Sequence, residues 1–274
     1  HIKEHKYHCD IKKNDRVFYF TTCGWMMWNW MVSALASEAT LILYDGSPIF
    51  PNPSILFEVA EEEGITFFGA SAKYIDSLNK LGVKPNDKCS FSNMRVFAST
   101  GSPLSPNSYD WVYSNIKDNI QLSSISGATD IVACFVHGNP CLPVNRGEIQ
   151  CASLGMDIQS WDDDASQLFG KAGELVCVNS FPSIPIGFWE DEDKKKFKKS
   201  YFEKYKNVWH HGDFIIATEH NSFIVEGRSD ATLNPGGIRI GTAEIYRQVE
   251  ALPEVLEALA VGQNWKNDQR ILLF

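Results

Sequence analysis

From residue 65 to residue 103 the sequence reads ITFFGASAKYIDSLNKLGVKPNDKCSFSNMRVFASTGSP, and this stretch decides the fold. Ile65-Thr-Phe-Phe68 is a short apolar run that stops at Gly69, a length that suits a buried strand. Residues 72–80 then carry apolar side chains at helical spacing, and Met94-Arg-Val-Phe-Ala98 forms a second short run. Strand, helix and strand in that order predict two parallel strands joined by a crossover helix.

The same grammar extends in both directions. Upstream, residues 25–37 read as a buried helix feeding a strand at 40–44, which stops at Asp45-Gly46-Ser47-Pro48; residues 53–63 follow as a helix with an acidic solvent face. Downstream, residues 106–117 read as a further helix. Helices alternating with short apolar strands predict an α/β fold whose parallel sheet is covered by its crossovers. After about residue 120 the period changes. Alternation of period two in 148–152 and 174–178, between Gly, Asp and Ser clusters, predicts the strands of a small β-rich subdomain. Residues 190–206 are charged, with lysines at 194–196, 198 and 199. Acidic residues flank them on both sides, so a solvated helix face is expected there rather than a nucleic-acid patch. A Gly-dense turn at 226–240 precedes an amphipathic helix at 242–252, and the paired glycines Gly236 and Gly237 suit a hinge.

Composition bounds the function. The 274 residues are 44 % apolar and 22 % charged, which excludes a disordered, collagenous or coiled-coil chain. Lys and Arg number 25 against 34 Asp and Glu, a net charge of −9, so there is no global attraction to nucleic acid or anionic lipid. No apolar run approaches the roughly 20 residues of a membrane span. Seven scattered cysteines without a CxxC pair argue for reduced, cytosolic thiols. The N-terminal HIKEHKYHCDIKKNDR is polar, has no apolar signal core and does not begin with Met, and residues 270–274 read as a strand cut in its middle.

Four segments set Gly, hydroxyl and acid together near predicted strand ends, where open α/β sheets bind ligands. Ala98-Ser-Thr-Gly-Ser-Pro103 is either a plain strand-to-helix turn or a place where backbone N–H groups and Gly101 meet a flat or phosphorylated ligand. Ser126-Gly-Ala-Thr-Asp-Ile131 puts a hydroxyl beside a carboxylate, which suits Mg²⁺ bound to phosphate and equally suits a helix N-cap; the residues alone favour the cap. Trp209-His-His-Gly-Asp213 ends in a carboxylate at an expected strand start, able to accept two hydroxyl hydrogen bonds as a ribose needs; its two histidines lack a third metal ligand at sensible spacing. In the segment 226–241, Arg228 and Arg239 can each fork a phosphate or carboxylate, with Asp230 as a pivot or a salt-bridge partner.

In order and spacing these segments resemble the acyl-adenylate-forming synthetases and ligases. The residues that carry the resemblance are Thr22-Cys-Gly-Trp-Met-Met-Trp-Asn-Trp30, Leu43-Tyr-Asp-Gly-Ser-Pro48, Gly127-Ala-Thr-Asp-Ile131, Trp209-His-His-Gly-Asp213 and Gly227-Arg-Ser-Asp-Ala-Thr-Leu-Asn-Pro-Gly-Gly237. The resemblance implies that residues 1–229 are the C-terminal part of a large AMP-binding domain, and that 230–274 begin a small mobile α+β domain. It implies that Gly101, Ser102 and Pro103 line the adenine, that Thr129 meets the α-phosphate and that Asp130, where most of the family has Glu, binds Mg²⁺. Asp213 then holds the ribose and Arg228 reaches the ribose and phosphate. Asp230 is the implied hinge, and Gly237 and Arg239 face CoA.

The implied substrates are small molecules, ATP, CoA and a carboxylic acid, and the implied product is a CoA thioester made through an acyl-AMP. In relatives that use acetate a Trp floors the acyl pocket two residues before the motif Thr, and here Gly127 stands there. That leaves room for more than two carbons, so acetoacetate is expected over acetate, with acetyl-, propionyl- or butyryl-type ligases and a non-catalytic nucleotide-binding derivative as alternatives. Trp25, Met26 and Trp28 are candidate pocket walls, with core packing the competing role. The family's Ser/Thr/Gly-rich phosphate loop is expected before His1 and its catalytic lysine beyond Phe274, so these residues alone are not expected to complete the reaction.

Overall fold

A computed structural model describes residues 1–229, 231, 233, 235, 240–252, 254–265 and 268–274. The chain divides into two units, His1–Gly155 with Phe181–Ile184, and Met156–Ser180 with Pro185–Phe274.

In the first unit β1 (Arg16–Tyr19), β2 (Thr40–Ile42), β3 (Phe67–Ser71), β4 (Val96–Thr100) and β5 (Gln121–Ser124) form one sheet in the order β2-β1-β3-β4-β5. All four pairings are parallel. The crossovers are α1 (Met26–Val32), continued by a 3-10 turn at Ser33–Ser37, α2 (Ile55–Glu62), α3 (Ala72–Lys80) and α4 (Pro106–Asn115). Chain direction across the sheet reverses between β1 and β3, which opens a crevice at the carboxyl ends of the strands.

Strand alternation explains why these runs are apolar throughout. Phe18, Phe68 and Phe97 face one core with Phe57, Ile75, Leu78 and Val112, while Val17, Phe67 and Val96 face another with Met27, Trp30 and Met31. The rings of Phe68, Phe57 and Phe97 stack at 5.1–5.2 Å from ring to ring. Helix starts follow local chemistry. Ser71 Oγ accepts the N–H of Tyr74 at 3.2 Å, and Ser105 Oγ accepts that of Ser108 at 3.2 Å with Pro106 in the first turn.

The strands extend further toward their carboxyl ends than the apolar runs do. Gly69, read as the end of a strand, lies inside β3 opposite Tyr19 and Ala98. A Cβ there would lie 2.1 Å from Tyr19 Cδ2, so the glycine makes room for the Tyr19 ring rather than for a turn. Gly69→Ala should therefore cost about 1–3 kcal/mol of stability by overpacking. In urea denaturation the loss should shrink when Tyr19→Leu is added, giving a non-additive cycle.

After β5 the unit turns antiparallel, with β6 (Ser126–Ala128), β7 (Ala133–His137) and β8 (Cys151–Ala152). The N-terminal segment, polar in sequence, is buried: a π-helical turn at Glu4–His8 sinks Glu4, His5 and His8 below 2 % exposure. Burial lowers the pKa of His5 to about 4 and that of His137 well below the ordinary value, and it also lowers His8. Folded histidines thus bind fewer protons than unfolded ones between about pH 6.5 and 4, so stability falls as pH falls through that window. Urea midpoints at pH 7.5 and 4.5 should show the loss, and His5→Gln should flatten the slope.

The second unit is built on β9 (Ile158–Trp161), β10 (Ala172–Cys177), β11 (Trp209–Ala217) and β12 (Phe223–Arg228), antiparallel in the order β12-β11-β10-β9. The lysine run becomes α5 (Lys195–Phe202), which keeps its lysines in solvent and buries Phe197 and Tyr201. The Asp191 carboxylate caps it, accepting the N–H groups of Lys196 and Phe197 at 2.9 and 2.8 Å. α6 (Thr242–Val249) follows, tied to β12 by Arg247, whose Nη2 donates to both oxygens of buried Glu226 at 2.7 and 2.6 Å. β13 (Ala260–Trp265) and β14 (Asp268–Leu273) close as a hairpin. All seven cysteines are free, and among the described residues no helix is long and apolar enough to cross a membrane.

Candidate functional site

In the first unit the singled-out residues gather where the parallel strands end. β4 runs to Thr100, whose hydroxyl donates to the Ile125 carbonyl at 2.7 Å and ties the exit of β4 to the exit of β5. Gly101 follows with φ +97°, a conformation that favours glycine. A Cβ there would meet the Trp25 indole at 3.4 Å and Ser71 at 3.9 Å, so the segments following β1, β3 and β4 converge on this glycine. Gly101, Ser102 and Pro103 are exposed at that mouth. Trp25 is half-buried and edge-on to Tyr19 at 5.8 Å, while Met26 and Trp28 pack on the Trp30 core. Of the candidate walls, Trp25 is the one that borders Gly101.

The Ser126–Ile131 segment starts no helix, which removes the N-cap reading. Residues 126–128 are β6, and residues 129–132 turn back into β7, with the Val132 N–H donating to the Thr129 carbonyl at 3.2 Å. Thr129 and Asp130 are therefore exposed side by side at a hairpin tip. A hydroxyl and a carboxylate are hard oxygen donors, and Mg²⁺ takes one or two carboxylates with water and phosphate completing its shell, so the pair fits that ion. Gly127 lies against β7: a Cβ there would sit 2.1 Å from the Ala133 carbonyl oxygen and 2.7 Å from Cys134 Cα. Its lack of a side chain is thus a backbone requirement of the hairpin before it is a property of any pocket.

In the second unit Asp213 lies inside β11, not at a strand start, and pairs in register with Arg228 of β12. The strand extends back to Trp209 because Trp209 is itself core, stacked on Tyr201 with ring centres 3.8 Å apart. Arg228 Nη1 stands 3.6 Å from Asp213 Oδ1 and donates to the His211 carbonyl at 3.2 Å, and His211 Nε2 stands 3.6 Å from Asp213 Oδ2. Gly212, at φ +82°, lies under the guanidinium, where a Cβ would meet Nη2 at 3.0 Å. Alternation along the strand separates the two histidines. His211 shares its face with Asp213, while His210 bonds Glu174 on β10 at 2.9 Å. Burial pushes the Glu174 carboxyl up, but hydrogen bonds from His210 and Lys204 outweigh it and leave the pKa below its ordinary value. The structure thus couples Asp213 with Arg228 in the second unit and Gly101 with Trp25 in the first. Asp230, Gly237 and Arg239 lie outside the described residues.

Sequence reasoning missed Ser71 at the end of β3 and, within the segment 98–103, gave Thr100 at the end of β4 no role of its own. Their signal was present in the pattern strand, small residue, hydroxyl, glycine or helix start, which is the form of a ligand-facing strand exit. It also missed Glu4, whose burial no local pattern announces.

No family model matches the chain. A curated acetoacetyl-coenzyme A synthetase of Rhizobium meliloti (strain 1021) is 54 % identical over 274 residues, which are 100 % of this chain and 42 % of that protein. An acetoacetyl-CoA synthetase of Gallus gallus is 45 % identical over 276 aligned positions, again 100 % of this chain and 41 % of the relative. The solved structure of the acetoacetyl-CoA synthetase from Streptomyces lividans superposes with a TM-score of 0.89 at 43 % identity, covering 95 % of this chain and 41 % of that one. An anthranilate CoA ligase solved with anthranoyl-AMP, 16 % identical, shares the fold at a TM-score of 0.81 over 99 % of this chain and 51 % of that one. The chain thus spans about two fifths of the length of the acetoacetyl-CoA synthetases that it matches. Along its whole length the chain is thus similar, in sequence and in fold, to about two fifths of these acetoacetyl-CoA synthetases.

Proposed function

We propose that the protein to which these residues belong is an acid-thiol ligase that joins acetoacetate to CoA with ATP, releasing AMP and diphosphate. The observation that carries the reading is the whole-chain similarity at 54 % identity to a protein of that name, with Thr129, Asp130, Asp213 and Arg228 in the motifs that the resemblance singles out. In the first step an acetoacetate oxygen attacks the α-phosphorus, and the bond to diphosphate breaks. In the second, the CoA thiolate attacks the acyl carbon, and AMP leaves with the electrons of the C–O bond.

The first step brings two anions together, so charge must be neutralised where they meet. Mg²⁺ held by Asp130, with Thr129 beside it, would supply that neutralisation when bound. Thr129 donates its hydroxyl proton to an α-phosphate oxygen. Asp213 accepts the ribose hydroxyls, and Arg228 adds positive charge on the same face. Gly101, Ser102 and Pro103 offer a flat exposed edge to the adenine, with Trp25 behind Gly101. Asp230 remains the proposed hinge at the start of a mobile segment 230–274, and Gly237 and Arg239 the proposed CoA-facing turn. Seven free cysteines accord with a cytosolic location.

In the protein at the full length of its relatives, ATP–diphosphate exchange should depend on acetoacetate and exceed that with acetate or butyrate. Exchange best with another acid would move the assignment to that acid, and ATP binding without exchange would indicate a non-catalytic derivative. Asp213→Ala should raise the KM for ATP roughly 10- to 100-fold, the loss of hydrogen bonds to a charged acceptor. Gly127→Ala should lower thermal stability by about 1–3 kcal/mol before any change of acyl preference, because its Cβ meets the β7 backbone.

A further inference from the structure

Glu4 has no role in the chemistry above, yet it is the most deeply buried carboxylate among the described residues, at 1 % exposure. Its Oε2 accepts the indole N–H of Trp30 at 2.8 Å, and its Oε1 accepts the backbone N–H of Cys134 at 3.1 Å. Trp30 is fully buried on α1, its ring 5.5 Å from that of Phe67 on β3. One carboxylate therefore joins the parallel-sheet core to the first residues of β7.

The amide that Glu4 takes belongs to the peptide between Ala133 and Cys134. The carbonyl of that same peptide is the group pressed against Gly127, 2.1 Å from where a Cβ would be. In a trans peptide the N–H and C=O point in opposite directions, so holding one aims the other. Cys134 is also the register partner of Gly127, and between this pair and Ser126–Val136 the strand β7 carries one residue more than β6. Such a bulge leaves local geometry that the ladder alone does not fix. β8 pairs with β7 at Val136 and His137 and the Ser153 N–H reaches the Phe135 carbonyl at 2.8 Å, while the N-terminal segment meets the residues nearer the turn. His1 Nε2 there meets the Val132 carbonyl, and His8 Nδ1 meets that of Gly138 at 2.6 Å.

We infer that Glu4 is a positioning residue: by fixing the Ala133–Cys134 peptide it sets the place of Gly127 and of the turn that presents Thr129 and Asp130. The inference rests on the reading of that turn as the phosphate and Mg²⁺ end of the site. It predicts that loss of the carboxylate disturbs acyl and Mg²⁺ dependence while leaving the ribose contacts of the second unit alone.

The test uses the protein at the full length of its relatives and compares E4Q, E4D, W30F and D130A by acetoacetate-dependent ATP–diphosphate exchange, with melting temperatures measured in parallel. Gln offers one acceptor and sets an NH₂ against the other N–H donor. E4Q should raise the Mg²⁺ concentration for half-maximal rate and the KM for acetoacetate at least fivefold, and change the KM for ATP less than twofold. W30F removes the indole N–H together with part of a buried ring, so it should lower the melting temperature while keeping the Mg²⁺ dependence near wild type. Should E4Q fail to fold, E4D, which withdraws the carboxylate by one methylene, carries the same comparison. Wild-type Mg²⁺ and acetoacetate dependence in the folded Glu4 variant, with D130A impaired, would overturn the inference. If D130A is also unimpaired, the reading of the turn fails instead. Glu4, Cys134 and His137 bring one ligand atom each within 4.8 Å of one another. Stoichiometric zinc in the purified protein, lost in E4Q, would therefore replace the positioning role by a metal.

Discussion

A sheet buried on both faces admits polar side chains only at its ends, and the first unit follows from that constraint. Phe67 and Phe68 sit next to each other in sequence and in different cores, as do Val96 with Phe97 and Val17 with Phe18. With both faces occupied, the chemistry of β3 and β4 moves to their carboxyl ends, where the residues become small: Gly69-Ala-Ser71 and Ala98-Ser-Thr100. Small residues let the backbone ladder continue while the Tyr19 and Trp25 rings close over it. The hydroxyls of Ser71 and Thr100 are then used to start α3 and to join two strand exits.

This explains what the sequence disclosed and what it hid. α3 was legible to the residue, because its apolar spacing is helical; the Ser71 cap that starts it was not read. The two central strands were legible as strands but placed too early, since hydrophobicity marks the part of a strand that faces the core and the hydrogen-bond ladder runs on past it. Asp213 was read at a strand start for a related reason. The polar residues His210, His211 and Gly212 interrupt an apolar pattern, yet their backbone stays in β11, where the His210 ring bonds Glu174 on one face and the His211 ring lies 3.6 Å from Asp213 on the other. The lysine run was legible as a solvated face, since acids flank it, and one of those acids, Asp191, caps the helix.

The candidate residues of each unit share a device that no composition or spacing reveals. Both lie at a shift in antiparallel register: β6 and β7 slip between Ser126 and Gly127, and β11 and β12 slip between Phe214 and Ile215, next to Asp213. A bulge redirects the side chains beside it, so the position of a motif residue depends on a partner strand distant in sequence. Gly127 and Gly212 are the sequence trace of this, each making room for a neighbour across the ladder: the Ala133 carbonyl in one case, the Arg228 guanidinium in the other.

Buried carboxylates separate structure from function by how closely their partners approach. Glu226 is closed by Arg247 at 2.6 and 2.7 Å, and Glu174 by Lys204 and His210 at 2.7 and 2.9 Å. Those are charge-assisted hydrogen bonds at full strength, and they fix an interface between elements. Glu4 differs in kind, since its short bonds come from neutral N–H groups, while its cationic neighbour Lys3 stands farther off, at 3.9 Å from Oε1. Asp213 differs again. Its cationic neighbour Arg228 and its ring neighbour His211 both stand at 3.6 Å, so both act on the carboxylate electrostatically. The net charge of −9 over these residues supplies no overall attraction for anions, so groups at chosen distances have to supply it locally.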